Sequence, residues 1–153
     1  MCSSDLRDAR AMMTSLEGRR RAREAAFQVA FQADLMGESF LETWSRLRED
    51  FHLSDDQRQL VDDVVATLEQ QRAAVDEALR SAAEHWEIER LAATDRSVLR
   101  ASIAELIGRP GTPVRVVLNE AIEIAKRYGS EESGRFVNGV LDRVARSLRP
   151  QEL

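Results

Sequence analysis

The densest grouping of chemically active side chains lies near the start of the chain, in the run Arg19, Arg20, Arg21, Ala22, Arg23, Glu24. At about 100° per residue these guanidinium groups wrap around a helix instead of lining one face. Planar forks pointing in several directions suit a phosphate backbone, whose oxygens accept paired hydrogen bonds from arginine. The alternative is a solvated helix start with local ion pairs. A cationic first turn opposes the helix dipole, which asks for a reason beyond solvation. On these residues alone, nucleic-acid contact and plain solvation both stay open.

Enzyme chemistry finds little to work with. The chain has no glycine-rich phosphate loop, no Gly-x-Ser-x-Gly and no His-Glu-x-x-His. Glu120, Glu123 and Asp142 read as solvated or ion-paired carboxylates, and His52 and His85 stand far apart without companions at ligand spacing. The single cysteine, Cys2, excludes an internal disulfide and a Cys-based zinc site, which fits a reducing, cytoplasmic setting. The reading is a non-enzyme with no cofactor and no metal. Two aromatic positions could serve a partner. Phe31, four residues after Phe27, is either core or an exposed protein anchor, and Phe136, beside Arg135, is either core or a ring on which an unpaired base stacks.

Positioning these groups falls to helices. Alanine, leucine, arginine and glutamate dominate, with only 3 prolines and 7 glycines, a mixture that favours helix. No segment alternates with period two, and no apolar run reaches the ~20 residues of a membrane span. Residues 1–15 read as a flexible N-terminal arm and residues 16–153 as one helical domain. A first helix runs from about Leu16 to Met36 on the buried stripe Ala22, Ala26, Val29, Ala30, Ala33, and Gly37 ends it. A short helix near Phe40–Arg48 follows. Ser54 with Gln57 forms a capping box for the next helix, and Val75, Ala78, Leu79 and Ala82 extend the pattern as a second helix or after a bend near Gln70 and Gln71. Ile88–Leu91 is a single turn. Thr94 is expected to cap a helix carrying Val98, Leu99, Ile103 and Leu106, and Thr112 to cap another with Pro113 at its first position. A last helix carries Val137, Val140, Leu141 and Val144 and ends near Pro150. The expectation is all-α: about seven helices in two packed bundles, one over about 16–83 and one over about 84–150. Net charge is −5, yet the arginines load the first part, so the molecule should be polarised.

Three ordered segments prompt a family. The arginine run resembles the Arg-Arg-x-Ala-Arg-Glu opening of the NusB family, and Asp95 to Arg100 resembles its middle motif. Thr112 to Asp142, TPVRVVLNEAIEIAKRYGSEESGRFVNGVLD, is similar to its C-terminal signature. The resemblance covers nearly everything after residue 18. It implies an all-helical, non-catalytic factor of transcription antitermination that supports ribosomal RNA synthesis. Such factors bind boxA-type single-stranded RNA with NusE, a small-subunit ribosomal protein, and meet other Nus factors and RNA polymerase indirectly. By that likeness Arg19, Arg20, Arg21 and Arg23 match the RNA-binding arm, and Glu132, Arg135 and Phe136 the other side of one RNA surface. Phe31 and Asp95 match the NusE-facing positions, Phe31 lacking the family's frequent tyrosine hydroxyl. Some relatives form homodimers that would cover the arginines, and NusB-like folds also occur as non-catalytic RNA-positioning or protein-interaction domains. A chain ending just past Pro150 favours the stand-alone factor.

Overall fold

The computed structural model describes the backbone from residue 2 to residue 152 and side chains from residue 18 to residue 152. The arm expected over residues 1–15 lies outside the residues whose side chains are described. Seven α-helices run in the order α1 (Cys2–Met36), α2 (Phe40–Leu47), α3 (Asp55–Gln70), α4 (Arg72–Ala82), α5 (Ala93–Gly108), α6 (Val114–Tyr128) and α7 (Glu131–Leu148). Single 3-10 turns occupy Ile88–Arg90 and Pro150–Glu152. Among the described residues there is no strand, and no helix is long and apolar enough to cross a membrane. Because α1 opens at Cys2 rather than near Leu16, the arginine run lies inside the helix. The dipole penalty expected of a cationic first turn therefore does not act on it.

One helix organises the rest. Every residue of α5 from Ser97 to Leu106 is buried, so the helix is covered on all sides, as befits the centre of a helical core. It packs against α1, α3, α4, α6 and α7. Around it α1 meets α3 and α6, while α7 meets α6 and α4. The two expected bundles thus share α5 and a single apolar core. The alanine stripe of α1 is buried as expected: Ala22, Ala26, Val29, Ala30 and Ala33 all face inwards.

Local rules hold where no tertiary partner competes. Ser54 Oγ accepts from the Gln57 amide at 3.3 Å while Gln57 Oε1 accepts from the Ser54 amide at 2.8 Å. Gly37 takes φ +66°, and the Glu38 amide returns to the Ala33 carbonyl at 3.1 Å, closing α1.

Two expected caps are displaced. α5 begins at Ala93 behind Ala92, with no side-chain cap, so Thr94 sits inside its first turn. At α6 Pro113 takes the cap position, again without a side-chain cap of its own. The Val114 amide instead donates to Glu152 Oε2 at 2.9 Å, from the far end of the chain. Thr112 contributes its carbonyl, which accepts from Arg149 Nη1. Arg149, only 4% exposed, also donates through Nη2 to the Leu106 carbonyl at 2.8 Å and the Arg109 carbonyl at 3.1 Å. Arg149 therefore holds carbonyls at the end of α5 and through the α5–α6 loop, while Glu152 accepts the first amide of α6.

The Val114 amide and Arg149 hold the Glu152 carboxyl below its ordinary value of 4.5. A carboxylate with a depressed folded pKa stabilises the fold above its ordinary value, and that contribution is lost as pH falls through the folded one. Urea melts should show stability declining from about pH 5 downwards, and Glu152→Gln should make the decline shallower. An unchanged decline would mean that this cap carries no weight.

Candidate nucleic-acid interface

Packing sorts the four arginines of α1 into different roles. The alanine face turns Arg23 inward, where it is 6% exposed and opposite Glu105 at 3%. Arg23 Nε donates to both Glu105 oxygens at 2.9 and 3.1 Å, and Nη2 donates to Oε2 at 2.8 Å. The expectation that Arg23 contacts RNA is therefore corrected: this guanidinium ties α1 to α5. The cause is register, since Arg23 lies three and seven positions before the buried Ala26 and Ala30, on the same face.

The other three are exposed. Arg19 makes no ion pair among the described residues, and Arg21 reaches the Phe51 carbonyl at 3.3 Å. Arg20 crosses to α6, where Nε donates to Glu120 Oε2 at 2.7 Å and Nη2 to Oε1 at 3.2 Å. That hydrogen bonding, together with the charge of Glu120, raises the Arg20 pKa above its ordinary value. Arg20 stays about half exposed. Sequence reasoning placed Glu120 among ion-paired carboxylates but could not find its partner, which lies 100 residues away.

The C-terminal group is built differently. Ser130 caps α7 by accepting from the Ser133 amide at 3.2 Å, and Glu131 and Glu132 lie in the first turn, where they complement the dipole. Glu132 and Arg135 are exposed. Phe136 is half-buried, edge-on to Trp86 with ring centres 6.0 Å apart and an angle of 76°. Trp86 itself is 59% exposed. The sequence signal that could have singled it out is an indole in the polar stretch Glu84, His85, Trp86, Glu87.

A single continuous surface of the arginine run and Phe136 does not appear in the described contacts. Arg20 pairs with Glu120 of α6, whereas Phe136 packs against Trp86 in the connection between α4 and α5. At the remaining positions Phe31 is half-buried, 6.0 Å from Phe27, which in turn lies 4.9 Å from Tyr128. Asp95 sits half-buried in the first turn of α5, and its Oδ1 is buried with no hydrogen-bond partner among the described residues. Its neighbour Arg96 makes the link to α1, donating through Nη2 to Asp34 at 2.6 Å.

Seven helices, one of them a buried centre, with three exposed arginines on the first, define a helical adaptor with a cationic edge. The NusB family model matches residues 20–146. The transcription antitermination protein NusB of Sorangium cellulosum is 47% identical over 126 residues, spanning 82% of this chain and 90% of that protein. That of Anaeromyxobacter dehalogenans (strain 2CP-1) is 45% identical over 133 residues, spanning 86% and 93%. Among solved structures, T. maritima NusB superposes with a TM-score of 0.78 at 34% identity, covering 88% of this chain and 94% of that one. NusB crystallised with NusE and double-stranded RNA gives 0.66 at 31% identity, covering 86% and 98%. The chain belongs to the NusB family.

Removing one member of a buried ion pair strands the other, at a cost of ~3–5 kcal/mol. Arg23→Ala should lose stability on that scale in denaturant titration, while Arg21→Ala, at an exposed site, should change it by less than ~0.5 kcal/mol. Equal losses from both would refute the division of roles.

Proposed function

We propose that this chain is an RNA-binding adaptor of transcription antitermination, engaging boxA-type single-stranded RNA together with a NusE-type ribosomal protein. Arg19, Arg20 and Arg21 are the phosphate-binding group. The observation that carries this reading is their division from Arg23, since three guanidinium groups stay at the surface of a helix whose fourth anchors it. Membership of the NusB family supports the RNA and NusE assignments, because a relative was crystallised with both NusE and RNA. No catalytic step is part of the reading. Connection to other Nus factors and RNA polymerase is indirect, through the ribosomal protein and the bound transcript.

The C-terminal group enters in a secondary role. Arg135 and Glu132 are exposed on α7 beside Phe136, whose ring packs against Trp86 in the connection that precedes α5. Phe31 and Asp95 are proposed as the NusE-facing positions, with Phe31 supplying ring contact alone.

Binding should be strongly salt-dependent, with log K falling by ~0.7 per phosphate neutralised on a single strand. Fluorescence anisotropy with a boxA oligonucleotide, with and without the NusE-type protein, measures this. Arg19→Ala and Arg20→Ala should each weaken binding and flatten the salt slope by roughly one such increment. Unchanged affinity and slope in both variants would remove α1 from the RNA site.

A further inference from the structure

Where α1 crosses α6, two arginines from opposite helices are each held by a carboxylate of the other helix. Arg20 of α1 is gripped by Glu120 of α6, and Arg127 of α6 is gripped by Glu24 of α1, with Arg127 Nη1 donating to Glu24 Oε1 at 2.9 Å. The acids are the covered partners: Glu120 is 9% and Glu24 16% exposed, against 48% and 66% for Arg20 and Arg127. Tyr128 steadies the second pair. Its hydroxyl donates to Glu24 Oε2 at 3.4 Å, and the Arg127 guanidinium lies 5.7 Å from its ring centre.

We propose that Arg127, a residue outside the arginine run, joins Arg20 in a two-phosphate track along the α1–α6 seam, each guanidinium pre-aimed by the carboxylate that crosses from the facing helix. This rests on the reading of the chain as an RNA-binding adaptor.

Three physical points support the track. A guanidinium has five N–H donors. Glu120 occupies the Nε side of Arg20 and leaves Nη1 uncommitted, while Glu24 occupies Nη1 of Arg127 and leaves Nε and Nη2. Both cations can therefore donate to phosphate without surrendering their acids. Spacing is the second point: 20 to 24 is four residues, ~6 Å along a helix, and 120 to 127 is seven, ~10 Å, so the two heads follow one another along the seam. The third is energetic. Ion pairs with one partner so exposed add little to stability, but they immobilise long side chains in advance, which lowers the ordering cost of binding a strand. Lys126, next to Arg127, is turned instead towards Glu131, 3.9 Å away. Glu123 is the remaining acid at the seam and acts on Arg20 through its charge.

The test is anisotropy titration of the full chain, with its NusE-type partner, against a single-stranded boxA RNA oligonucleotide over a salt series. Arg127→Ala, Arg20→Ala, Glu24→Gln, the Arg127→Ala and Glu24→Gln double variant and Arg80→Ala are compared, with melting curves confirming that each folds. Arg127→Ala should weaken binding by about tenfold and flatten the salt slope by ~0.7. Glu24→Gln should weaken it less, and should add nothing once Arg127 is alanine, a coupling that a purely structural role of Glu24 would not produce. Arg80, exposed on α4, should be replaceable without effect. If Arg127→Ala binds with unchanged affinity and slope while Arg20→Ala is impaired, the track is refuted and the RNA reading stands. If neither substitution matters, both fall.

Discussion

The buried pair of Arg23 and Glu105 sets the orientation of everything else on α1. Two charges almost wholly removed from water depend on hydrogen bonding to each other, and here Nε, shared between both Glu105 oxygens, and Nη2 bind one carboxylate, while Nη1 is buried without a partner among the described residues. The pair locks α1 in rotation about its own axis against α5. With Arg23 turned inward, Arg20 and Arg21 are carried to other faces, because successive helical residues are turned by about 100°, while Arg19, one turn earlier on the side of Arg23, is exposed. The division of the arginines thus turns on one buried ion pair in the core.

The same device recurs where α1 and α4 meet α5. Asp34 near the end of α1 accepts from Arg96 and Arg100 of α5, and Arg100 also reaches Asp76 of α4 at 2.9 Å. Arg149 gathers three carbonyls of the α5–α6 loop. Apolar burial supplies the non-directional attraction, and these guanidinium groups supply direction, since a planar fork accepts only a narrow set of partner geometries. In an arginine-rich, net acidic protein the internal arginines are consumed by structure. Those left at the surface, some of them held by covered acids, remain for a polyanionic ligand.

Much of this was legible in the sequence, element by element. The alanine stripe, the capping box at Ser54, the turn at Gly37 and the break near Gln70 each depend on residues within four positions of one another, and all appear where periodicity and capping rules put them. The all-helical class and the family likeness also needed nothing beyond residue order. Reading failed where a distant partner outweighed a local preference. Thr94 and Thr112 are good caps by type, yet Ala92 and Pro113 hold those places, and Glu152 supplies the α6 cap from the chain's other end. Arg23 was read with its neighbours because its type is the same as theirs.

What residue order determined by itself was therefore the set of helices, their apolar faces and the presence of more arginine at one site than a solvated helix needs. Only the tertiary structure decided which of those arginines are exposed, that Phe136 packs against Trp86, and that Arg127 of α6 pairs with Glu24 of α1. The physical reason is range. Helix propensity and periodicity act over one or two turns, whereas an ion pair such as Arg20 with Glu120 joins residues 100 positions apart and exists only after the core has brought two helices side by side.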